Sequence, residues 1–322
     1  MPLTLDDLFS SPDHYLQSFD GDAAVFVPMD RAAYHRSIFL DGRISPAANQ
    51  NMALPVATLV QQPRPAAPTA WIFHMAHCGS TLLSRALDHP DAGLVLREPQ
   101  ALRQTAIRPD AGRLALVLAM VSKRYQADKA TLVKANVPVN FLLPQVTAAN
   151  PDARAILLYL PLRDYLLAIL RSDNHRNWLR NVTGLLSAHL GDLSSLSDAE
   201  RAAALWLAQV RQFTQALEAM PHARALDAEM FFTEPNAVLR HAARHLDLPL
   251  TDATLDATVA SPLFATYSKN PSLAFDNAAR IARSAEVEAA IAPELEIAES
   301  WIARNATSAA PDAALIAAAL TR

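Results

Sequence analysis

The sequence predicts a three-layer α/β fold, in which a central parallel sheet lies between helices and is followed by a helix-rich C-terminus. From residue 70 onward, short strands that are apolar on both faces alternate with helical segments, a pattern typical of a parallel sheet covered on both sides. The 322 residues include 63 alanines, which favour abundant helix because alanine loses no side-chain entropy there. The last 60 residues show helical patterns and no clear strand.

Three segments are predicted along the chain: an N-terminal α/β extension over 1–43, a connector over 44–69 and the main domain over 70–322. Five prolines between residues 46 and 68 make a continuous regular element improbable in the connector. The helical C-terminal part of the main domain begins near residue 260. The predicted strands cover 23–27, 56–60, 71–75, 93–97, 131–136, 155–160 and 223–227. The predicted helices cover 4–16, 30–40, 81–89, 113–127, 140–149, 164–180, 197–220 and 236–246.

Local signals set several of these helix boundaries. Asp30 is expected to be an N-cap, because its carboxylate can accept a hydrogen bond from a free N–H of the first turn. Ser197 and Glu200 have the spacing of a capping box and open the longest predicted helix. Asn150 and Pro151 end the helix before them, because proline disfavours helical backbone in the residue that precedes it.

Composition and charge exclude several classes of protein. No uninterrupted apolar run is longer than that over 114–121, which is far short of the ~20 residues needed to cross a bilayer. The N-terminus has neither the basic nor the apolar segment of a secretory signal, so a cytoplasmic location is predicted. A single cysteine excludes an internal disulfide and any multi-cysteine metal site. The net charge of −4 argues against nucleic acid as a partner, and a homodimer is left open.

Polar and cationic residues follow the predicted strands at their carboxyl ends, where ligands bind in open parallel sheets. They are His74, His77, Cys78, Gly79, Ser80, Thr81, Arg97, Glu98, Lys134, Asn136, Arg163, Asp164 and Glu229. Their gathering at one edge of an otherwise acidic protein favours an anionic ligand.

The segment from residue 71 to residue 87 predicts a strand, a tight turn that contains Gly79, and a helix. Backbone N–H groups at a helix start, together with Ser and Thr hydroxyls, form a cradle for anions. The loop lacks the lysine of the G-x-x-x-x-G-K-[ST] motif, which disfavours hydrolysis of ATP or GTP. Cys78 is interpreted as a small buried loop residue rather than a nucleophile.

Three stretches of the chain resemble sulfotransferases. Residues 77–83 read His-Cys-Gly-Ser-Thr-Leu-Leu and are similar to the family's 5′-phosphosulfate loop, in which a basic residue precedes Ser-Gly-Ser/Thr-Thr. Residues 153–172 resemble its strand–Arg-Asp–helix segment, and 227–235 resemble its Tyr-Glu-Asp-Leu…Pro segment. The matches keep the family's order across residues 70–250. The resemblance implies a P-loop-like fold and sulfuryl transfer from 3′-phosphoadenosine 5′-phosphosulfate (PAPS) to a hydroxyl or amine acceptor, without a metal.

The resemblance also implies which residues bind the donor. The 5′-phosphosulfate is assigned to loop residues His77, Cys78, Gly79, Ser80, Thr81 and Leu82. The 3′-phosphate is assigned to Arg163 with Arg171 or Ser172. The family's late basic loop over the nucleotide is not evident, and Lys269 and Arg280 are its weak substitutes.

For catalysis, the resemblance implies Glu98 as general base and Lys134 and His77 as groups that offset negative charge. The stretch at 97–99 reads Arg-Glu-Pro and is similar to the Lys-Glu segment of carbohydrate-directed members. Asn136 stands where cytosolic members have a histidine base, and an amide cannot accept the proton. His77 stands where the family has Lys or Arg, and imidazole is charged only when protonated, with an ordinary pKa of about 6.5.

Two other functions stay open at this point. A P-loop phosphotransferase would need Mg²⁺ and a Walker-type lysine, which the loop lacks. A catalytically inactive sulfotransferase-fold protein would bind the nucleotide without turnover, as the missing basic residue at 77 and the missing histidine base would allow. The acceptor, a small molecule or a conjugate, would be shaped by residues 1–69 and the C-terminal helices.

Overall fold

Three β-sheets organise residues 3–321, the part of the chain that the computed structural model describes. An antiparallel sheet of three strands, in the order β1-β2-β3, precedes the parallel sheet in the chain. The elements of this first part are α1 (Leu5–Ser10), β1 (His14–Asp20), β2 (Ala23–Pro28), α2 (Arg31–Arg36), β3 (Met52–Pro55) and α3 (Val56–Val60).

The second sheet has five parallel strands between layers of helices. Its strands are β4 (Thr69–His74), β5 (Val95–Arg97), β6 (Thr131–Lys134), β7 (Ala155–Tyr159) and β8 (Ala223–Asp227). The helices along this part of the chain are α4 (Ser80–Ala86), α5 (Gln100–Ile107), α6 (Ala111–Val121), α7 (Leu143–Ala149), α8 (Leu162–Leu170), α9 (Asp173–Leu185), α10 (Ser187–Leu190), α11 (Asp198–Ala219), α12 (Ala228–Thr233) and α13 (Pro235–His245). Short 3₁₀ helices cover Pro90–Ala92 and Val137–Leu142.

The order of the parallel strands, β5-β6-β4-β7-β8, places β4 in the centre. After β4 the chain builds one side of the sheet with β5 and β6, and then the other side with β7 and β8. The loop after β4 therefore lies at the topological switch point, where open α/β sheets bind ligands outside the carboxyl ends of their strands. Every residue of β4 and β7 is buried, which confirms the predicted α/β fold with a central sheet covered on both faces.

The C-terminal part adds four helices and a hairpin, which are α14 (Asp252–Val259), β9 (Thr266–Tyr267), β10 (Asn270–Ala274), α15 (Asn277–Ala290), α16 (Ala292–Asn305) and α17 (Ala313–Ala317). The prediction that the last 60 residues contain no strand is wrong, because β9 and β10 pair antiparallel there. All five residues of β10 are exposed, so the segment lacks the apolar alternation that marks a half-buried strand. After α17, Ala318 and Leu320 exchange backbone hydrogen bonds with Ala225, which covers the outer edge of β8.

Several predicted boundaries need correction. The helix predicted over 4–16 ends at Ser10, since Pro12 follows two residues later, and β1 begins at His14. The strand predicted over 56–60 is the helix α3, which begins directly after Pro55. The helix predicted over 164–180 is two helices, α8 and α9, separated by the extended residue Ser172. By contrast, Asp30 caps α2 by accepting a hydrogen bond from the N–H of Ala33 at 2.6 Å.

Arg97, expected among the cationic groups that face a ligand, instead holds the N-terminal segment on β5. Its guanidinium is fully buried and donates to Asp88 at 2.6 Å and to the carbonyl oxygens of Tyr34 and Ser37 at 2.7 Å each. Arg31 donates to the same carboxylate from the other side at 2.6 Å. Residues of the predicted extension are thereby fixed beside the carboxyl ends of the parallel strands.

Candidate functional site

Two clefts meet at the carboxyl ends of the parallel strands. The loop cleft is lined by the loop after β4, by α8 and α12, and by the hairpin and α15, with an empty volume of about 1240 Å³ that includes space open to solvent. The carboxylate cleft, of about 1060 Å³ on the same measure, contains Glu98 and His74 in its walls. His77 and Lys269 line both clefts, so they form the boundary at which ligands in the two clefts would meet.

The loop after β4 has an unusual backbone that its residues explain. Gly79 has φ +78°, and a Cβ at this position would lie 2.8 Å from Cζ of Phe232, so both the conformation and the close approach require glycine. His77 has φ +61°, which is uncommon for a residue with a side chain. Its ring is held between His175 and Trp178, with centroids 4.4 Å and 5.8 Å away.

The start of α4 faces the loop cleft with backbone donors. Gly79 is the N-cap and has no side chain to cap the helix, so the N–H groups of the first turn are left for an anion. Ser80, Thr81 and Leu82, which the sequence analysis assigns to an anion cradle, all line the loop cleft. Cys78 is fully buried and donates to the carbonyl of Met75 at 2.9 Å, and its burial raises the pKa of the thiol to about 11. A thiol that stays protonated fits the interpretation of Cys78 as a structural loop residue.

Glu98, Lys134 and His74 form a compact polar cluster at the ends of three neighbouring strands. Lys134 Nζ makes an ion pair with Glu98 Oε1 and donates to Thr81 Oγ1 at 3.3 Å. His74 Nε2 lies 4.0 Å from the same Glu98 oxygen. The Lys134 side chain is fully buried, whereas the Glu98 side chain keeps 16% of its surface exposed in the carboxylate cleft. The cluster therefore joins the anion loop to the second cleft.

The protonation states of this cluster follow from burial and charge. Burial opposes ionisation of Glu98, but the Lys134 ammonium and His74 outweigh it and hold the pKa of Glu98 at about 2. Burial and Lys134 lower the pKa of His74 to about 3, so its ring is neutral. His74 Nδ1 lies 2.7 Å from the carbonyl of Met75, which places the proton on Nδ1 and a bare lone pair on Nε2. That Nε2 is buried and has no hydrogen-bond partner among the described residues.

His77 does not supply the positive charge expected of it. Burial, followed by the charges of Lys269 and His175, lowers the pKa of His77 to about 2, so the imidazole is neutral at neutral pH. Lys269 instead lies at the boundary of the two clefts, where burial and Lys134 lower the pKa of its ammonium. His77 can still offer a neutral ring N–H to an anion, while the cation at this boundary is Lys269.

Arg171 and Arg283 form a second cationic group in the wall of the loop cleft. Burial and the nearby Arg283 lower the pKa of Arg171. Among the described residues, neither guanidinium makes an ion pair with a carboxylate. Arg171 donates to His175 Nε2 at 2.7 Å, and His175 Nδ1 lies 2.6 Å from Ser172 Oγ. Ser172 does not line either cleft and acts on Arg171 only through His175. Two adjacent guanidinium groups without a counter-charge are typical of a phosphate site.

Arg163 does not face either cleft, contrary to its assigned role at the 3′-phosphate. Its guanidinium makes an ion pair with Glu288 of α15 and lies 3.7 Å from Glu299 of α16. It follows β7 as predicted, but α8 begins at Leu162 and directs this side chain to the C-terminal helices. Asp164, the next residue, lines the loop cleft instead.

Other residues of the loop cleft come from the C-terminal part. Arg280, expected as a weak phosphate ligand, makes a bidentate ion pair with Glu229 at 2.8 and 2.6 Å. Aromatic rings of Phe232, Tyr267 and Phe275 complete the wall, with 5.4 Å between the Tyr267 and Phe275 centroids. Sequence patterns did not reveal these rings or Arg283, because the hairpin region that carries two of the rings has no recognisable strand signal.

The walls of the carboxylate cleft join the N-terminal segment to α5 and α9. Phe39, Asp41 and Arg43, which belong to the first 69 residues of the chain, line it. Asp41 and Arg43 form a bidentate ion pair, and the Arg43 guanidinium lies 3.8 Å from the centroid of Phe39. The remaining wall residues, of which only Asn136 was singled out from the sequence, are Ala76, Arg103, Asn136, Val137, Pro138, Trp178, Asn181, Val182 and Leu185.

Comparison with known proteins finds similarity at the level of structure. No family model and no curated protein matches the chain. One similar solved structure is the sulfotransferase domain from the curacin biosynthetic pathway, with 14% identity and a TM-score of 0.41 over 65% of this chain and 84% of that one. Another is a sulfotransferase from Alicyclobacillus acidocaldarius, with 17% identity and a TM-score of 0.40 over 74% of this chain and 97% of that one. Both are sulfotransferases, the family that the sequence motifs resemble. At 14–17% identity, the chemistry of the site has to be argued from the residues of this chain.

Two features are absent from residues 3–321. No group of three or more His, Cys, Asp or Glu side chains is placed there to hold a metal ion. None of the helices described is both long and apolar enough to pass through a bilayer.

Proposed function

We propose that this protein transfers a sulfuryl group from PAPS to a hydroxyl or amine acceptor. The observation that carries the proposal is the meeting of the two clefts at His77 and Lys269. On one side lie backbone donors and unneutralised arginines suited to a polyanion, and on the other lies a cluster of Glu98, Lys134 and His74 suited to proton transfer. A donor and an acceptor bound in separate clefts would thus have their reacting atoms at one boundary.

The donor binds in the loop cleft. The first-turn N–H groups of α4 hold the 5′-phosphosulfate, as the resemblance of residues 77–83 implies. Arg171 and Arg283 hold the 3′-phosphate, and they replace Arg163 in this role because Arg163 is paired with Glu288 outside the cleft. The adenine ring stacks among the aromatic side chains of Phe232, Tyr267 and Phe275.

The reaction is an in-line displacement at sulfur. The acceptor oxygen or nitrogen forms a new bond to sulfur while the bond from sulfur to the bridging phosphate oxygen breaks, and that electron pair leaves with adenosine 3′,5′-bisphosphate. Lys134 and Lys269 offset the negative charge that develops on the leaving oxygen and the sulfuryl oxygens. Most of the rate enhancement then comes from position and charge, as in phosphoryl transfer.

The acceptor also loses a proton, and two residues compete for it. Glu98 is the base that the sequence resemblance assigns, but a pKa of about 2 makes its carboxylate a weak base at neutral pH. His74 Nε2 carries a free lone pair beside it in the same cleft wall. With a pKa of about 3, His74 is hardly a stronger base than Glu98, so geometry decides between them. We favour His74 as proton acceptor because its Nε2 has no partner among the described residues, whereas Glu98 is paired with Lys134. The Glu98 carboxylate lies 4.0 Å from Nε2 and would stabilise the imidazolium that forms.

One observation favours the inactive, nucleotide-binding alternative. His77 is neutral where related loops have a fixed cation, so the leaving phosphate has one charge fewer to stabilise it. Donor binding is common to both functions, and turnover separates them. The phosphotransferase alternative gains nothing, because the loop over 75–82 has no lysine.

Isothermal titration tests the donor site. Adenosine 3′,5′-bisphosphate should bind at least 10-fold more tightly than 5′-AMP, because charge-assisted hydrogen bonds contribute about 1.5–3 kcal/mol each. ATP with Mg²⁺ should show no comparable advantage. Arg171→Ala and Arg283→Ala should each remove most of the preference for the bisphosphate, whereas Arg163→Ala serves as the matched control and should keep it. Equal affinity for bisphosphate and 5′-AMP would reject PAPS as donor, and binding without turnover of PAPS would select the inactive alternative.

A further inference from the structure

We propose that the acceptor carries an anionic group, a carboxylate in the simplest case, that Arg103 binds in the carboxylate cleft. This inference rests on the proposed function for its assignment of the cleft to the acceptor. The observation behind it is an imbalance of charge in the cleft wall.

Five charged side chains line the carboxylate cleft, and three of them are already neutralised or committed. Asp41 and Arg43 neutralise each other in their bidentate pair, at 2.9 Å between Arg43 Nε and Asp41 Oδ1. The charge of Glu98 is neutralised by its ion pair with the buried Lys134. These pairs leave the wall with two cations and no free carboxylate.

Lys269 and Arg103 are the two cations that remain. Lys269 lines both clefts, so the phosphosulfate bound in the loop cleft accounts for its charge. Arg103 lines only the carboxylate cleft and is half-buried in the first half of α5, five residues after Glu98. Among the described residues, its guanidinium makes neither a hydrogen bond nor an ion pair with any other side chain or carbonyl. An anion supplied by the acceptor would satisfy this cation.

The chemistry of the guanidinium narrows the class of anion. Arginine presents a planar fork of N–H donors that matches the two oxygens of a carboxylate. A half-buried position strengthens such a pair relative to one in open water, because the local dielectric constant is lower. A carboxylate on the acceptor would therefore both select the substrate and orient it.

The rest of the wall indicates what the carboxylate is attached to. Phe39, Val137, Pro138, Trp178 and Val182 add apolar surface to the same cleft. An aromatic or aliphatic body would pack there and exclude water from the polar cluster. The acceptor class that fits is a small amphipathic acid with a hydroxyl or amine at the end away from its carboxylate.

Binding measurements test this independently of turnover. The full-length protein, with and without saturating adenosine 3′,5′-bisphosphate, is titrated with 4-hydroxyphenylacetate and its neutral amide, and with 6-hydroxy-2-naphthoate and its amide. At least one acid should bind 10-fold or more tightly than its amide. Arg103→Gln should reduce that preference to less than about twofold, and Arg103→Lys should keep part of it through charge alone. Arg108→Gln, which removes the exposed arginine at the C-cap of α5, outside both clefts, should leave it unchanged.

The outcomes separate this inference from the proposed function. If neither acid binds at millimolar concentration, or if the amides bind as tightly as the acids, the anionic acceptor is overturned. The same result follows if Arg103→Gln, shown to be folded by its melting temperature, retains the preference. If adenosine 3′,5′-bisphosphate does not bind, the sulfotransferase proposal is rejected. The preference of Arg103 for an acid over its amide is then still decided by the titrations made without the bisphosphate.

Discussion

His77 and Glu98 adopt the left-handed backbone region, with φ +61° and +56°, and Asp247 is the other non-glycine residue described with a positive φ. Such conformations cost about 1–3 kcal/mol each and persist where the surroundings enforce them. The Glu98 N–H donates to the carbonyl of Lys134 at 2.7 Å while its side chain pairs with the same residue. Both strained residues line the carboxylate cleft and neither lies within a strand, which supports a functional origin for the strain.

Glu98 precedes α5 in the chain, at a position from which an acidic side chain could cap the helix. α5 begins after Pro99, and no side chain forms a cap hydrogen bond at its start. Glu98 is therefore not a capping residue. The variant Glu98→Gln should not lower the free energy of unfolding by weakening the start of α5. This leaves the cluster with His74 and Lys134 as the reason for a carboxylate at this position.

Exchanging the two candidate bases one at a time should identify the proton acceptor. His74→Asn keeps an amide donor near the Met75 carbonyl but removes the Nε2 lone pair, so the single-turnover rate should fall ~10²- to 10⁴-fold. Glu98→Gln should reduce the rate less, because it weakens stabilisation of the imidazolium rather than removing the base. Affinity for adenosine 3′,5′-bisphosphate should stay within about twofold in both variants, because neither residue lines the loop cleft. A normal rate in His74→Asn together with a lost rate in Glu98→Gln would return the base to Glu98.

At the scale of elements, the turn between β4 and α4 depends on one glycine. Gly79→Ala should destabilise the protein by about 1–2 kcal/mol for the left-handed backbone, and by more because the new methyl would meet Phe232 at 2.8 Å. Gly21→Ala is the matched control, because Gly21 also has a positive φ but a methyl there would find no heavy atom within 4 Å. Urea unfolding should show a larger loss for Gly79→Ala, and Phe232→Ala in the same chain should recover part of the difference. Equal losses of unfolding free energy at both glycines would mean that the Phe232 ring moves away from the new methyl group without destabilising the protein.

Lys123, just beyond α6, ties two N-terminal elements to the main domain. Its buried ammonium donates to the carbonyl of Leu8 at 3.1 Å and to that of His14, and burial lowers its pKa to about 7. Because the folded pKa lies below the unfolded value of about 10.4, the unfolded chain binds more protons between these values and stability should rise with pH from about 7 toward 10. Unfolding free energies at pH 7, 8 and 9 should show this rise, and Lys123→Met should flatten it while lowering stability at pH 9. Parallel pH profiles for both proteins would contradict the assignment.

For the whole molecule, the parts that could be predicted from sequence are those that depend on local pattern. The buried strands are short apolar runs, and Gly79 marks the turn at the switch point, so the layered fold and the anion loop follow from neighbouring residues. The pairing of Arg171 with Arg283 joins residues more than a hundred positions apart, across a hairpin whose exposed sequence has no strand signal. Arg163 illustrates a different limit. Its position in the strand–Arg-Asp–helix segment could be matched from the sequence, but the direction of its side chain depends on the ion pair with Glu288 of α15.

The N-terminal segment, predicted from the sequence as a separate extension, contributes to the wall of the carboxylate cleft. A substitution of the buried Asp88 tests the importance of this contribution. Asp88→Asn leaves the fully buried Arg97 without its carboxylate and should cost about 3–5 kcal/mol. Asp256→Asn, which breaks an exposed pair with Arg240, should cost less than about 1 kcal/mol. Hydrogen exchange should quicken in residues 31–43 of Asp88→Asn, and affinity for acceptor analogues should fall more than affinity for adenosine 3′,5′-bisphosphate, because Phe39, Asp41 and Arg43 line only the carboxylate cleft. Equal weakening of both ligands would show instead that Asp88 supports the whole sheet edge and not the acceptor wall.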